Sequence, residues 1–203
     1  LEDRDYQANI SRACLTQSTL VILPTGMGKT IIALRVILER LSLGPILLMA
    51  PTKPLAQQHA EFLGKYVRSK VDLFTGAVPP PERELLWKSS EIIVSTPQVV
   101  SQDIENGRIS LDDFSLLIFD EAHRAVGNYA YVSIGHHYSS VATSHLAIGM
   151  TASPGSSKSE IISLCRDLGI SAVEKRDEND PDVVPYIQPI KTSWISVDMP
   201  DSV

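Results

Sequence analysis

Six short apolar runs punctuate this chain, with longer segments of helical period between them, and that alternation restricts the fold more than any other feature. The runs are Leu20–Leu23, Ile46–Met49, Val71–Phe74, Ile92–Val94, Leu116–Phe119 and Leu146–Met150. Their apolar residues are mostly consecutive rather than alternating, as in strands buried on both faces. Such strands, separated by amphipathic helices, predict an α/β fold: a central, mostly parallel sheet with helices on both faces. Thr30–Leu43 sets Leu34, Leu38 and Leu41 on one stripe and Arg35, Glu39 and Ser42 on another, and Gly44-Pro45 stops it. Lys53–Val67 repeats the design with Leu55, Phe62, Leu63 and Tyr66 inward. Pro97–Asn106, Tyr129–Val141 and Lys158–Leu168 read as further helices, and Pro79–Pro81 marks a loop before a short one.

With 203 residues the chain suits one well-buried domain and a short appendage. From Glu174 the pattern dissolves into charged and proline-rich loop chemistry, which sets the expected division at 1–173 for the domain and 174–203 for an exit segment. Lys191–Asp198 alternates like a strand but has no evident partner. No apolar run approaches a membrane span, and the acidic start Leu1-Glu2-Asp3-Arg4 is unlike a signal, so a cytoplasmic location is expected, or a nuclear one in a eukaryote. The missing initiator Met suggests a fragment or processed chain. Cys14 and Cys165 have no metal-ligand spacing and read as buried bystanders. A net charge of −6 argues against a broad basic face, so any nucleic-acid role must rest on local contacts.

The strongest local signal is Pro24-Thr25-Gly26-Met27-Gly28-Lys29-Thr30, between a strand and a helix. Glycines let successive backbone N–H groups converge on phosphate oxygens at the positive end of the following helix. Lys29 would reach the β- and γ-phosphates of ATP, and the Thr30 hydroxyl would hold Mg²⁺. Leu23 stands where the strict P-loop pattern has its first glycine. Asp120-Glu121-Ala122-His123 follows the fifth run. A carboxylate there can hold Mg²⁺ and a second can activate the attacking water, roles that fall to Asp120 and Glu121. Ligands of open α/β sheets sit beyond the carboxyl ends of strands. All six candidate turns lie at such ends: Thr25–Thr30, Ala50-Pro51-Thr52-Lys53, Thr75-Gly76, Ser95-Thr96-Pro97-Gln98, Asp120–His123 and Thr151-Ala152-Ser153.

In that order these segments resemble the motifs of superfamily 2 helicases, over roughly residues 4 to 153. The resemblance implies a RecA-like P-loop NTPase domain, the first of two, with ATP and Mg²⁺ as cofactors and a second RecA-like domain of the same chain as partner. It further implies that Pro51, Thr52, Lys53, Thr75, Gly76, Thr96, Pro97 and Gln98 lie along one nucleic-acid strand. His123, Thr151 and Ser153 would couple nucleotide state to that strand. Arg4-Asp5-Tyr6-Gln7 resembles the R-x-Y-Q element with which related motors recognise adenine, assigning Arg4 and Gln7 to the nucleotide. Asp120-Glu-Ala-His-Arg-Ala-Val-Gly-Asn-Tyr-Ala-Tyr131 is similar to the Hef/FANCM branch, which implies DNA, branched and with a single-stranded region, as substrate.

Other readings stay open at this point: an RNA-directed helicase, a small-molecule P-loop kinase, or an ATP-binding switch without turnover. A switch could dispense with a carboxylate such as Glu121. Tyr131 and Tyr138 are spaced as a buried helix stripe, and His136 and His137, being adjacent, do not converge on a metal.

Overall fold

The computed structural model describes residues 4–155 and 157–186. Seven strands form one sheet: β1 (Thr19–Ile22), β2 (Ile46–Met49), β3 (Val71–Phe74), β4 (Ile92–Ser95), β5 (Leu116–Asp120), β6 (Ala147–Thr151) and β7 (Ala172–Lys175). Their order is β3-β4-β2-β5-β6-β1-β7, and every pairing is parallel. Seven α-helices connect or flank them: α1 (Asp5–Thr16), α2 (Lys29–Arg40), α3 (Lys53–Tyr66), α4 (Pro80–Trp87), α5 (Pro97–Glu105), α6 (Ala130–Val141) and α7 (Lys158–Asp167).

The continuous apolar runs find their reason in two separate cores. Val21, Leu48, Ile118 and Ile148 point to one face, where α1, α2 and α3 pack. Leu20, Leu47, Phe119 and Ala147 point to the other, covered by α4 to α7. A strand in this position has no polar side, so alternation disappears. No helix among the described residues is long and apolar enough to cross a membrane.

Several local expectations need correction. Leu34 is buried as expected, but Leu38 is half exposed, and Ile32, Ala33, Val36 and Ile37 complete the buried arc of α2. The helix lies between the sheet and α1, so its buried face is set by two neighbours rather than by the most regular leucine repeat. On α3, Ala56, His59 and Leu63 face inward, whereas Tyr66 is exposed and packs at a tilt against the half-buried Phe62, ring centroids 4.9 Å apart. The proline run is no loop before α4 but its start, with Pro79 as N-cap and proline in the first turn, where a missing N–H costs nothing. Glu174 and Lys175, expected in a loop, complete β7 and pair with Val21 and Ile22 of β1. β7 lies at the sheet edge, and edge pairing through the backbone tolerates charged side chains. Past it, Val183 is buried in the first core and Tyr186 packs on Tyr6. The strand-like stretch Lys191–Asp198 lies outside the described residues.

Candidate nucleotide and nucleic-acid site

Because all strands are parallel, their carboxyl ends share one edge of the sheet, and strand order divides that edge into two halves. The turns after β3, β4 and β2 adjoin one another in one half. The turns after β5, β6 and β1 adjoin in the other. The first half holds every residue expected to touch nucleic acid, and the second holds the P-loop, Asp120–His123 and Thr151–Ser153.

In the second half, β1 passes into the P-loop at Leu23. Leu23 is fully buried and its N–H donates to Thr151 O at 3.0 Å, so this position extends the strand and has no need of glycine. The turn itself does: Gly26 and Gly28 have φ of +84° and +80°, a region L side chains rarely adopt. A Cβ on Gly28 would also run into the Gln7 side-chain amide. Helix α2 then starts at Lys29, so its free backbone N–H groups point at the turn. Lys29 Nζ donates to Leu23 O at 2.8 Å and Pro24 O at 3.4 Å. Burial pulls the Lys29 ammonium below its usual range, against the raising influence of Glu121 and Asp120.

A cavity of about 430 Å³ opens here, lined by Thr25, Gly26, Gly28, Lys29, Thr30, Asp120, Glu121 and, from α3, Leu55, Gln58, His59 and Phe62. The structure thus brings the P-loop and both carboxylates together. Thr30, Asp120 and Glu121 supply hard oxygen donors of the kind Mg²⁺ prefers, and Lys29 with the glycine turn suits a phosphate chain. The described residues therefore fit Mg·ATP.

Gln7 and Arg4 stand behind the loop. Gln7 is 3% exposed and its Nε2 donates to Met27 O at 3.2 Å, as does the Tyr6 hydroxyl at 2.8 Å. It is thus buried beneath the P-loop rather than exposed at a helix start. Arg4 sits over the Tyr186 ring, 5.7 Å from its centroid. Met27 is buried as a side chain and faces the core.

Between the two carboxylates and the P-loop lies β6. His123 Nδ1 is 3.4 Å from Glu121 Oε2 and 3.0 Å from Thr151 Oγ1, and that hydroxyl also accepts the Ser153 N–H at 3.1 Å. Glu121 has φ 49° and ψ 49°, the one non-glycine residue with positive φ among those described. Beside it, a second cavity of about 430 Å³ is bounded by His123, Val126, Ser153, Glu160 and Leu164.

In the first half, Thr52 caps α3 by accepting the Leu55 N–H at 3.5 Å, and Thr96 stands at the cap of α5. Thr52, Lys53, Gly76 and Gln98 are exposed. Pro51, Thr75 and Pro97 are buried and shape the turns.

Two polar centres went unread in the sequence. His59 Nε2 donates to Asp120 Oδ2 at 2.8 Å, with His59 only 8% exposed. Beneath the turns after β3 and β4, Asp103 is fully buried and accepts Arg83 through Nε at 2.7 Å and Nη2 at 2.8 Å, Trp87 Nε1 at 3.0 Å and Arg108 Nη1 at 3.1 Å. Burial by itself would raise the Asp103 carboxyl, but Arg83, Trp87 and Arg108 outweigh it and hold the group below its usual range. Arg83 also donates to Val78 O, tying the turn after β3 to α5. Their partners lie 61 and 20 positions away in sequence, and only a heptad-like reading that noticed a histidine and an aspartate on buried faces could have flagged them.

The remaining candidates behave as packing. Tyr131 and Tyr138 are fully buried, and the Tyr131 hydroxyl meets Asp120 O at 2.8 Å and Met49 O at 3.0 Å. Cys14 is buried, and burial pushes its thiol up to about 12; Cys165 is half-buried, and both are free. His136 is exposed near Asp167, and the described residues contain no metal-binding cluster of His, Cys, Asp and Glu.

This fold and turn arrangement define a RecA-like α/β domain of the P-loop class. Residues 4–161 match the DEAD/DEAH box helicase family. A crystal structure of the Pyrococcus furiosus Hef helicase domain is 46% identical and superposes with a TM-score of 0.92, covering 98% of this chain and 44% of that one. A Methanocaldococcus jannaschii protein named, provisionally, as an ATP-dependent RNA helicase is 41% identical over 99% of this chain and 26% of its own length. The Schizosaccharomyces pombe ATP-dependent DNA helicase fml1 is 37% identical over 97% of this chain and 24% of its own. The chain belongs to the DEAD/DEAH box helicase family, whose members use ATP, and it spans about a quarter of the length of these two curated relatives.

Proposed function

We propose that this chain is the ATP-binding half of a DNA-translocating motor that acts on branched DNA, hydrolysing ATP to ADP and phosphate when a second RecA-like domain completes the site. The observation that carries the reading is the divided sheet edge: nucleotide turns after β5, β6 and β1, and strand-contact turns after β3, β4 and β2, on one rigid frame. In this reading the motor domain does not stop at 173 but includes β7 and the segment to Tyr186, which packs on Tyr6. The preference for DNA rests on the likeness to Hef and fml1.

Lys29 holds the phosphate chain, Thr30 and Asp120 hold Mg²⁺, and Glu121 accepts a proton from the attacking water while orienting it. Mg²⁺, when bound, neutralises charge on the phosphate oxygens. Gln7, expected at the base, is instead buried with its Nε2 on Met27 O and braces the P-loop from behind, while Arg4 lies over the Tyr186 ring. Thr52, Lys53, Gly76, Thr96 and Gln98 hold the sugar-phosphate backbone through hydroxyls, an amide, one ammonium and exposed helix N-termini, which needs no broadly basic face. Pro51, Thr75 and Pro97 set the turns that present them. Thr151 and Ser153, with His123, relay between the halves.

The test is calorimetry with an ATP analogue and Mg²⁺ on the parent and on Lys29→Ala, each with and without single-stranded DNA or RNA. Loss of binding in the variant, and a nucleotide affinity that DNA alters more than RNA, support the proposal. Equal affinity in parent and variant overturns the site. A response to RNA alone turns the reading to an RNA-directed motor, in line with the name of the Methanocaldococcus protein.

A further inference from the structure

Helix α3 belongs to both halves of the sheet edge. Its cap, Thr52, lies in a turn of the strand-contact half, whereas Leu55, Gln58, His59 and Phe62 form a wall of the nucleotide cavity. His59 follows Thr52 by about two helical turns, roughly 10 Å along the axis. There its Nε2–H meets Asp120 Oδ2 at 2.8 Å, in a contact with 10% and 11% of the two side chains exposed. The Asp120 main chain is fixed separately, from the opposite face of the sheet, by the Tyr131 hydroxyl at 2.8 Å from its carbonyl oxygen. With the backbone pinned, what remains free is rotation of the carboxylate, and the bond from α3 removes it.

We infer that His59 is a positioning residue: it orients the carboxylate that holds Mg²⁺, and it ties that orientation to the placement of the helix whose N-terminus faces the nucleic-acid strand. The inference rests on the ATP and Mg²⁺ reading of the cavity. Neighbours that orient a metal-binding group from outside its coordination typically contribute about 10- to 100-fold in metal affinity. A movement of α3 on engaging DNA would thus be felt at Asp120 without any rearrangement of the P-loop. His59 lies directly beside Asp120 in space yet on a different structural unit, which is what such a link requires.

Calorimetry on the 203-residue chain with a non-hydrolysable ATP analogue, in Mg²⁺ and in EDTA, tests this. His59→Leu is expected to weaken binding about tenfold or more in Mg²⁺ and by a clearly smaller factor in EDTA, while His59→Gln, whose amide N–H has similar reach, recovers to within about threefold of the parent. An oligodeoxythymidine should shift the Mg²⁺-dependent affinity of the parent and of His59→Gln but not of His59→Leu. If His59→Leu fails to melt cooperatively, His59→Met replaces it in every arm. Equal loss with and without Mg²⁺, a Gln variant as weak as the Leu variant, or a DNA-induced shift that survives in His59→Leu overturns the inference. If the parent binds nucleotide and His59→Leu matches it, the ATP site stands and His59 alone falls; if the parent binds none, both fall.

Discussion

The Thr151 hydroxyl joins His123 to Ser153: its oxygen is 3.0 Å from His123 Nδ1 and accepts the Ser153 amide at 3.1 Å. Thr151 ends β6, which lies between the P-loop strand β1 and the carboxylate strand β5. One buried hydroxyl therefore stands where the two nucleotide-facing turns and the turn after β6 converge. Thr151→Val keeps the shape and deletes both contacts. It should cost about 0.5–1.5 kcal/mol of stability, because the part-exposed His123 and exposed Ser153 can turn to water, and leave nucleotide affinity near that of the parent. In a longer protein carrying the second domain, strand displacement should fall far more than ATP hydrolysis. Melting, calorimetry and a displacement assay check this; a parallel fall of both activities would remove Thr151 from a coupling role.

Turnover depends on what the cavity wall lacks. Among its described lining residues Lys29 is the one cation, and none is an arginine. Arg40 donates instead to Ser115 O and to Ser144, at the far end of α2. An arginine completing such a site contributes on the order of 10³ to 10⁵ in rate. The 203-residue chain should thus hydrolyse ATP at least about a thousandfold more slowly than a protein with the second domain restored. In that longer protein Glu121→Gln should keep nucleotide binding and lose hydrolysis. Equal rates for the short and long proteins would overturn the two-domain reading.

At Asp103 the cost of a single atom is large, because the carboxylate and Arg83 are both buried and each satisfies the other. Asp103→Asn should destabilise the chain by about 3–5 kcal/mol, the usual consequence of leaving a buried charge without its partner. Because the Asp103 carboxyl titrates below its usual value in the folded chain, its contribution is full above the unfolded value and is lost as pH falls through the folded one. Acid unfolding of the parent should therefore steepen in that range, and the variant should lack this component. Chemical denaturation as a function of pH reads both effects.

His145 gives a second, milder pH response. Its Nε2 is 3.3 Å from Ser139 Oγ, which gives its own proton to Gly135 O, so Nε2–H donates there and Nδ1 accepts from Ser18 Oγ at 3.2 Å. Burial lowers the His145 pKa from 6.5, which means that the unfolded chain takes up a proton first as pH falls. Stability is full above about 6.5 and declines below it as pH drops through the folded value. Thermal melting between neutral pH and pH 5 should show this decline, and His145→Gln should flatten it.

The sheet, its parallel sense and the P-loop were readable because each is written in neighbouring residues: a run of four apolar side chains, or a glycine turn between a strand and a helix. That Asp120 and Glu121 would line one cavity with the P-loop was readable from their place after a strand. His59 was not, since nothing local distinguishes a buried histidine that bonds a carboxylate from one that merely packs. The same holds for Arg83, whose three donors reach Val78 and Asp103 on two other segments. Leu38 misled for a different reason: helical period identifies an amphipathic helix but not which arc a second helix will cover. β7 escaped because an edge strand draws its order from β1 through backbone bonds, leaving its charged sequence free to look like a loop.

Glu121 holds a left-handed backbone that costs an ordinary L-residue about 1–2 kcal/mol, while glycine or asparagine would rest there comfortably. Position 121 is therefore one at which drift and demand run in opposite directions. A lineage released from the need to activate water would gain stability by abandoning glutamate, and relatives that no longer turn over ATP should be recognisable by a small or amide residue at this point. Under the proposed role in activating water, Glu121 is a residue whose chemistry is held at the expense of the fold.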